Sequence, residues 1–84
     1  MPKKCYYATF GIAHPLRDRV QRVIVRDGDT PSEGPARATL LSFYGNKWAF
    51  IYGPYDVEDG DAVTLYGHKY RLIDHDLEAG EEYQ

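Results

Sequence analysis

Residues 4–11, Lys-Cys-Tyr-Tyr-Ala-Thr-Phe-Gly, are aromatic and β-compatible and show no stripe at helical spacing, which predicts a strand ending at Gly11. The period of two puts Tyr6, Ala8 and Phe10 on one face and Tyr7 and Thr9 on the other. A polar connection follows, in which Pro15 biases His14 towards an extended conformation. Residues 20–26, Val-Gln-Arg-Val-Ile-Val-Arg, form a second β-branched run with Val23 and Val25 as its expected buried pair, and Asp27-Gly28-Asp29 breaks it.

A helix is expected to begin between Thr30 and Pro35. Thr30-Pro31-Ser32-Glu33 has the form of a capping box, but it places Pro35 five residues along, where a proline loses a backbone bond. A start at Gly34, with Pro35 as the first helical residue, removes that conflict. Ala36, Leu40 and Phe43/Tyr44 then fall on one face, and Gly45-Asn46 ends the helix. Residues 48–53, Trp-Ala-Phe-Ile-Tyr-Gly, are apolar throughout, the pattern of a central strand buried on both sides and stopped by Pro54. An acidic turn region, 55–61, leads to a hairpin over 61–73. Val63 and Leu65 alternate before its turn, Tyr70 and Leu72 after it, and Gly67-His68 suits a type II′ turn. From residue 74 to 84 the chain is acidic and reads as a tail that frays. The order β-β-α-β-β-β predicts one α+β domain over residues 1–84, with a mainly antiparallel sheet packed against one short helix.

Length supports a single core, because 84 residues are too few for two. Eight tyrosines make up most of the aromatic content, and tyrosine suits both half-buried sheet faces and interfaces. Cys5 is the only cysteine, so no disulfide forms within the chain, and a small core-filling thiol in a reducing, cytoplasmic compartment is the expectation. No signal-peptide pattern follows Lys3-Lys4, and no run approaches the ~20 apolar residues of a membrane span. The net charge of −3 is unevenly spread. Residues 1–50 hold eight Lys/Arg and four Asp/Glu, whereas residues 51–84 hold two and nine. That asymmetry marks either an acidic interaction face or a surface that keeps the chain soluble.

Candidate chemistry is sparse. Ser32, Ser42 and Cys5 lie outside any nucleophile motif, and neither a nucleophile elbow nor a phosphate loop is present. His75 among Asp74, Asp76, Glu78, Glu81 and Glu82 lacks the ordered spacing of a metal site. No catalytic residue, metal or cofactor is therefore assigned. His14, Arg17 and Arg19, with Arg22 and Arg26 on the next strand, could form a basic edge for phosphate or nucleic acid. The alternative for these residues is a solvated loop, and a pI near 5.5 argues against a nucleic-acid partner.

Tyr7-Ala8-Thr9-Phe10-Gly11 followed by His14-Pro15, then Ala36-Arg37 and Phe43-Tyr44-Gly45-Asn46-Lys47-Trp48-Ala49-Phe50-Ile51-Tyr52, resembles a group of small bacteriophage proteins, many of them from phages of actinobacteria. The resemblance covers about residues 6–53, with Tyr44 as an additional residue before Gly45. It implies a phage-encoded accessory protein acting in the bacterial cytoplasm by binding a host protein, CRISPR-Cas and other defence complexes among them. It supplies no catalytic residues. The expected binding surface uses Tyr55, Tyr66 and Tyr83 as aromatic anchors and Asp56, Glu58, Asp59 and Asp61 as a charged rim. The basic His14–Arg26 region and self-association through an edge strand, giving a homodimer, are the competing expectations.

Overall fold

The computed structural model describes residues 3–83. Its elements are β1 (Lys4–Phe10), β2 (Arg19–Ile24), α1 (Glu33–Tyr44), β3 (Trp48–Asp56), β4 (Ala62–Leu65), β5 (His68–Leu72) and β6 (Leu77–Glu78). One curled sheet has the order β3-β1-β2-β5-β4, with β6 also paired to β2. The α+β class therefore holds, but the sheet is mixed rather than mainly antiparallel. β1 pairs antiparallel with β2 and β3, and β4 with β5, whereas β5 and β6 both run parallel to β2.

The strand buried on both sides is β1, in which every residue from Cys5 to Phe10 is buried. Tyr6 and Ala8 join Val23, Val25, Ala36, Leu40, Leu77 and Ala79 under the helix. Cys5 and Tyr7 face the other way, into a second core with Val20 and Leu65 that the β4–β5 hairpin closes. The expected core residues Val23, Val25, Ala36 and Leu40 and the thiol of Cys5 are all buried.

The sequence placed β3 in the middle, and the structure places it at the edge. Its large side chains are only half covered, Ile51 by the helix layer and Tyr52 by the hairpin layer. The strand also runs through Pro54 to Asp56, which an edge position permits because a proline there interrupts no interior ladder. The first helical residue is Glu33 after Ser32, two residues before the expected Pro35 after Gly34. Pro35 then sits third in the helix, where its missing N–H is one of the groups without an intrahelical partner anyway. Gly45 closes the helix, its N–H donating to Leu41 O at 2.9 Å.

The hairpin turn is centred on Tyr66-Gly67, one residue earlier than expected. Leu65 pairs with His68, and both central residues have positive φ, 51° and 83°, which is a type I′ rather than a II′ turn. The acidic end packs against the domain over 74–83, where a fraying tail was expected. Leu77 and Ala79 are buried, and Gly80 N donates to Thr39 Oγ1 at 2.7 Å and Tyr83 N to Ser42 Oγ at 2.7 Å. Gln84 lies outside the described residues. Among the described residues no helix is long and apolar enough to cross a membrane.

Candidate binding site: a tyrosine cleft between two strand edges

The five-strand path of the curled sheet ends in two edges, β3 and β4, which run in opposite senses on either side of a cleft of about 610 Å³. Tyr7, Tyr55, Asp56, Glu58, residues 62–66 and Lys69 line it.

An irregularity in β3 is what directs two tyrosines to this side. Tyr52 pairs with Tyr7 and Tyr55 with Cys5, so three steps along β3 match two along β1. In regular pleating Tyr52 and Tyr55 would point to opposite faces; the extra residue brings them to the same one. Gly53 makes the close approach possible. A Cβ there would lie 2.8 Å from Cys5 O and 2.8 Å from Tyr6 Cδ1, and φ is +141°.

The rings on and near the cleft pack in three separate groups. Tyr55 lies 5.9 Å from Tyr7 between centroids, Tyr52 5.1 Å from Tyr66 and 6.3 Å from Phe50, and His68 6.4 Å from Tyr70. Tyr66 is 79% exposed and Tyr55 40%, whereas Tyr7 is sealed beneath them at 2%. Burial pushes the Tyr7 phenol up to about 12, aided by the neighbouring Cys5 thiol, while the Arg22 guanidinium works in the opposite direction. The Tyr52 phenol is raised first by burial and then by the phenols of Tyr70, Tyr66 and Tyr55.

The acidic rim sits at the open end. Asp56 is bound by Lys4 Nζ. Among the described residues Glu58, Asp59 and Asp61 take part in no ion pair. The loop carrying them is fixed by Arg22, which donates to Glu58 O at 3.0 Å and grips Asp76 through two bonds of 3.0 and 2.9 Å.

Of the seven residues proposed from sequence as a protein-binding surface, Tyr55, Asp56, Glu58 and Tyr66 meet in this cleft. Asp59 lies in the adjacent exposed loop, and Asp61 borders a separate hollow with Arg22 and Asp76. Tyr83 does not belong here. Its ring, 69% exposed, packs edge-on to Phe43 of the helix at 5.7 Å. Sequence reasoning missed Tyr7 and Lys69, which line the cleft, and Tyr52, which packs on Tyr66 behind it. The periodic position of Tyr7 opposite Tyr6 was legible, but the curl that makes its face concave was not.

The alternative basic set does not converge. Arg22 is committed to Asp76, its side chain only 14% exposed, and Arg26 lies 4.0 Å from Asp29. His14 accepts a bond from Leu16 N at 3.0 Å and stacks on Phe10 at 4.9 Å, so it serves the turn. Arg17 is exposed, and Arg19 pairs in register with Arg71 on the parallel neighbour. Among the described residues no group of three His, Cys, Asp or Glu is placed to hold a metal ion. No family model, curated protein or solved structure matches the chain.

Proposed function

We propose that this protein is a non-catalytic binding module that holds a protein partner in the cleft between β3 and β4. The observation that carries the reading is the convergence of exposed Tyr55 and Tyr66, the buried Tyr7 floor and the carboxylates of Asp56 and Glu58 at two unpaired strand edges. Aromatic anchors supply contact area at low conformational cost, and an acidic rim selects and orients a basic partner. The residues that sequence offered for chemistry are engaged structurally: Cys5 is buried with its thiol pushed up by desolvation, and His14 is tied into its turn. The actinophage resemblance directs the search to a bacterial host protein, and the acidic rim favours one with a basic groove, such as a nucleic-acid-binding defence complex.

Affinity capture from an actinobacterial lysate, comparing the wild type with Tyr66→Ser, Glu58→Lys and Tyr83→Ser, tests this. A protein held by the wild type and by Tyr83→Ser should be lost from the two cleft variants. Equal capture by all four would remove the cleft from consideration.

A further inference from the structure

We infer that the cleft accepts an extended, basic segment of the partner as an added strand between β3 and β4. This rests on the reading of the cleft as a protein-binding surface and names what that surface takes.

Consecutive residues 62–66 all line the cavity. Side chains of a strand alternate between faces, so consecutive residues border a cavity together only when the strand presents its edge. The phase of the ladders then shows which backbone groups are free. Leu72 N donates to Asp61 O at 2.8 Å, and Leu65 faces His68 across the two-residue turn. Asp61, Val63 and Leu65 therefore bond towards β5, and Ala62 and Thr64 turn their N–H and C=O groups into the cleft. On the opposite wall Val57 N donates to Lys3 O at 2.9 Å, so Val57 bonds towards β1 and Asp56 turns its own backbone groups outward.

The two walls are too far apart to satisfy one another. No Cα of β3 comes within 8 Å of one of β4, whereas paired strands lie about 4.8 Å apart and a strand between two others spans roughly 9.5 Å. Their separation exceeds that of paired strands, which is the condition for adding a strand between them. Because β3 and β4 run in opposite senses, such a strand is antiparallel to one wall and parallel to the other. Adding a strand at an exposed edge is an established mode of peptide recognition, with backbone bonds giving affinity and alternate side chains giving selectivity.

The unpaired carboxylates of Glu58, Asp59 and Asp61 at and beside the cleft point to the charge of the occupant. Tyr66 of the lining packs against Tyr52 of β3. The lining holds Asp56, which Lys4 pairs, Glu58, which takes part in no ion pair, and Lys69, and the adjoining loop adds Asp59 and Asp61 without ion pairs. The floor is the ring of Tyr7 and the side chain of Leu65, both buried. A segment with apolar residues directed inward at every second position, and Lys or Arg towards the carboxylates, matches both features.

The test uses labelled hexapeptides of alternating Val and Lys, of alternating Val and Glu, and a Val/Lys peptide N-methylated along one edge. Amide exchange by NMR is read on the full chain. The Val/Lys peptide should bind, weaken with salt and on Glu58→Lys, and slow exchange at Asp56, Ala62 and Thr64 by about tenfold or more. The Val/Glu and N-methylated peptides should not. Binding without protection at these amides, equal binding of the Val/Glu peptide, or no binding at millimolar peptide would overturn strand addition. If the lysate partner is still lost on Tyr66→Ser in that case, the cleft stands as the surface and only the strand is wrong. Protection of the same amides without peptide, together with a concentration-dependent sedimentation mass, would make a second copy the occupant and equally overturn the inference.

Discussion

Tyr66 holds a backbone conformation that suits asparagine or glycine, and its ring is the most exposed of the tyrosines around the cleft. A non-glycine residue in the left-handed region costs about 1–2 kcal/mol relative to its relaxed state, and strain of this kind tends to be kept where function needs the side chain. Tyr66→Asn, which creates the preferred Asn-Gly type I′ turn, is therefore expected to raise stability by up to about 1 kcal/mol in urea unfolding while weakening partner capture. Lower stability together with unchanged capture would show the ring to be a packing residue. Gly53 is the opposite case, a position where a side chain is excluded. Its positive φ and the 2.8 Å approach of any Cβ to Cys5 O predict that Gly53→Ala destabilises by about 2–4 kcal/mol. Neither position was fully legible in the sequence. Gly67 announced a turn but not which side of it, since glycine serves the first place of a II′ turn and the second of a I′ turn. Gly53-Pro54 announced a stop, because the pair gives no sign that an edge strand can bulge around it.

At the scale of elements, the sequence was most legible where burial and period agreed. The run Cys5–Phe10, the valines of β2 and the Ala36/Leu40 face of the helix all have a pattern that leaves one arrangement. It was least legible where charge obscured a short pattern. Leu77 and Ala79 are two apolar residues at the period of a strand, set among Asp74, Asp76, Glu78 and Glu81, and the density of carboxylates reads as disorder. The carboxylate of Asp76 is instead bound by Arg22, and that removes the obstacle to pairing Leu77 with Val23. Leu77→Ala should cost about 2–4 kcal/mol by denaturant unfolding, as for other fully buried leucines. A change below a few tenths would mean that the segment is dispensable. The apolar run Trp48–Tyr52 misled in the other direction. An all-apolar strand is expected at the centre of a sheet, but here one face meets the helix layer and the other the tyrosines of the cleft, with its edge left unpaired.

Over the whole molecule the opposite charges of the two halves do not stay apart. Arg22 meets Asp76, and Lys4 meets Asp56, so the basic half supplies partners to the acidic half and the separate charged exteriors suggested by the sequence are partly neutralised. Among the described residues Glu58, Asp59 and Asp61 stay outside these ion pairs at and next to the cleft, while Arg17, Arg19, Lys47 and Arg71 stay outside them away from its lining. Two cores on opposite faces of β1 hold the domain, and each contains a phenol raised by burial: Tyr6 and Tyr44 on the helix side, Tyr7 and Tyr52 on the hairpin side. These groups link folding to alkaline pH. Below pH 10 they are neutral in both states and contribute no pH dependence. As pH rises past 10.0 the unfolded chain loses phenolic protons first, whereas folded Tyr7 holds its proton to about 12, so the unfolded state binds fewer protons and stability falls. Tyr7 alone accounts for a loss on the order of 2–3 kcal/mol across that interval, levelling once the folded phenol also ionises. Urea midpoints measured from pH 9 upward should therefore decline steeply above 10, and Tyr7→Phe should flatten part of that slope while leaving the behaviour below pH 9 unchanged. An unaltered slope in Tyr7→Phe would mean that this phenol is solvated, and that the floor of the cleft is open to water rather than sealed by Tyr55.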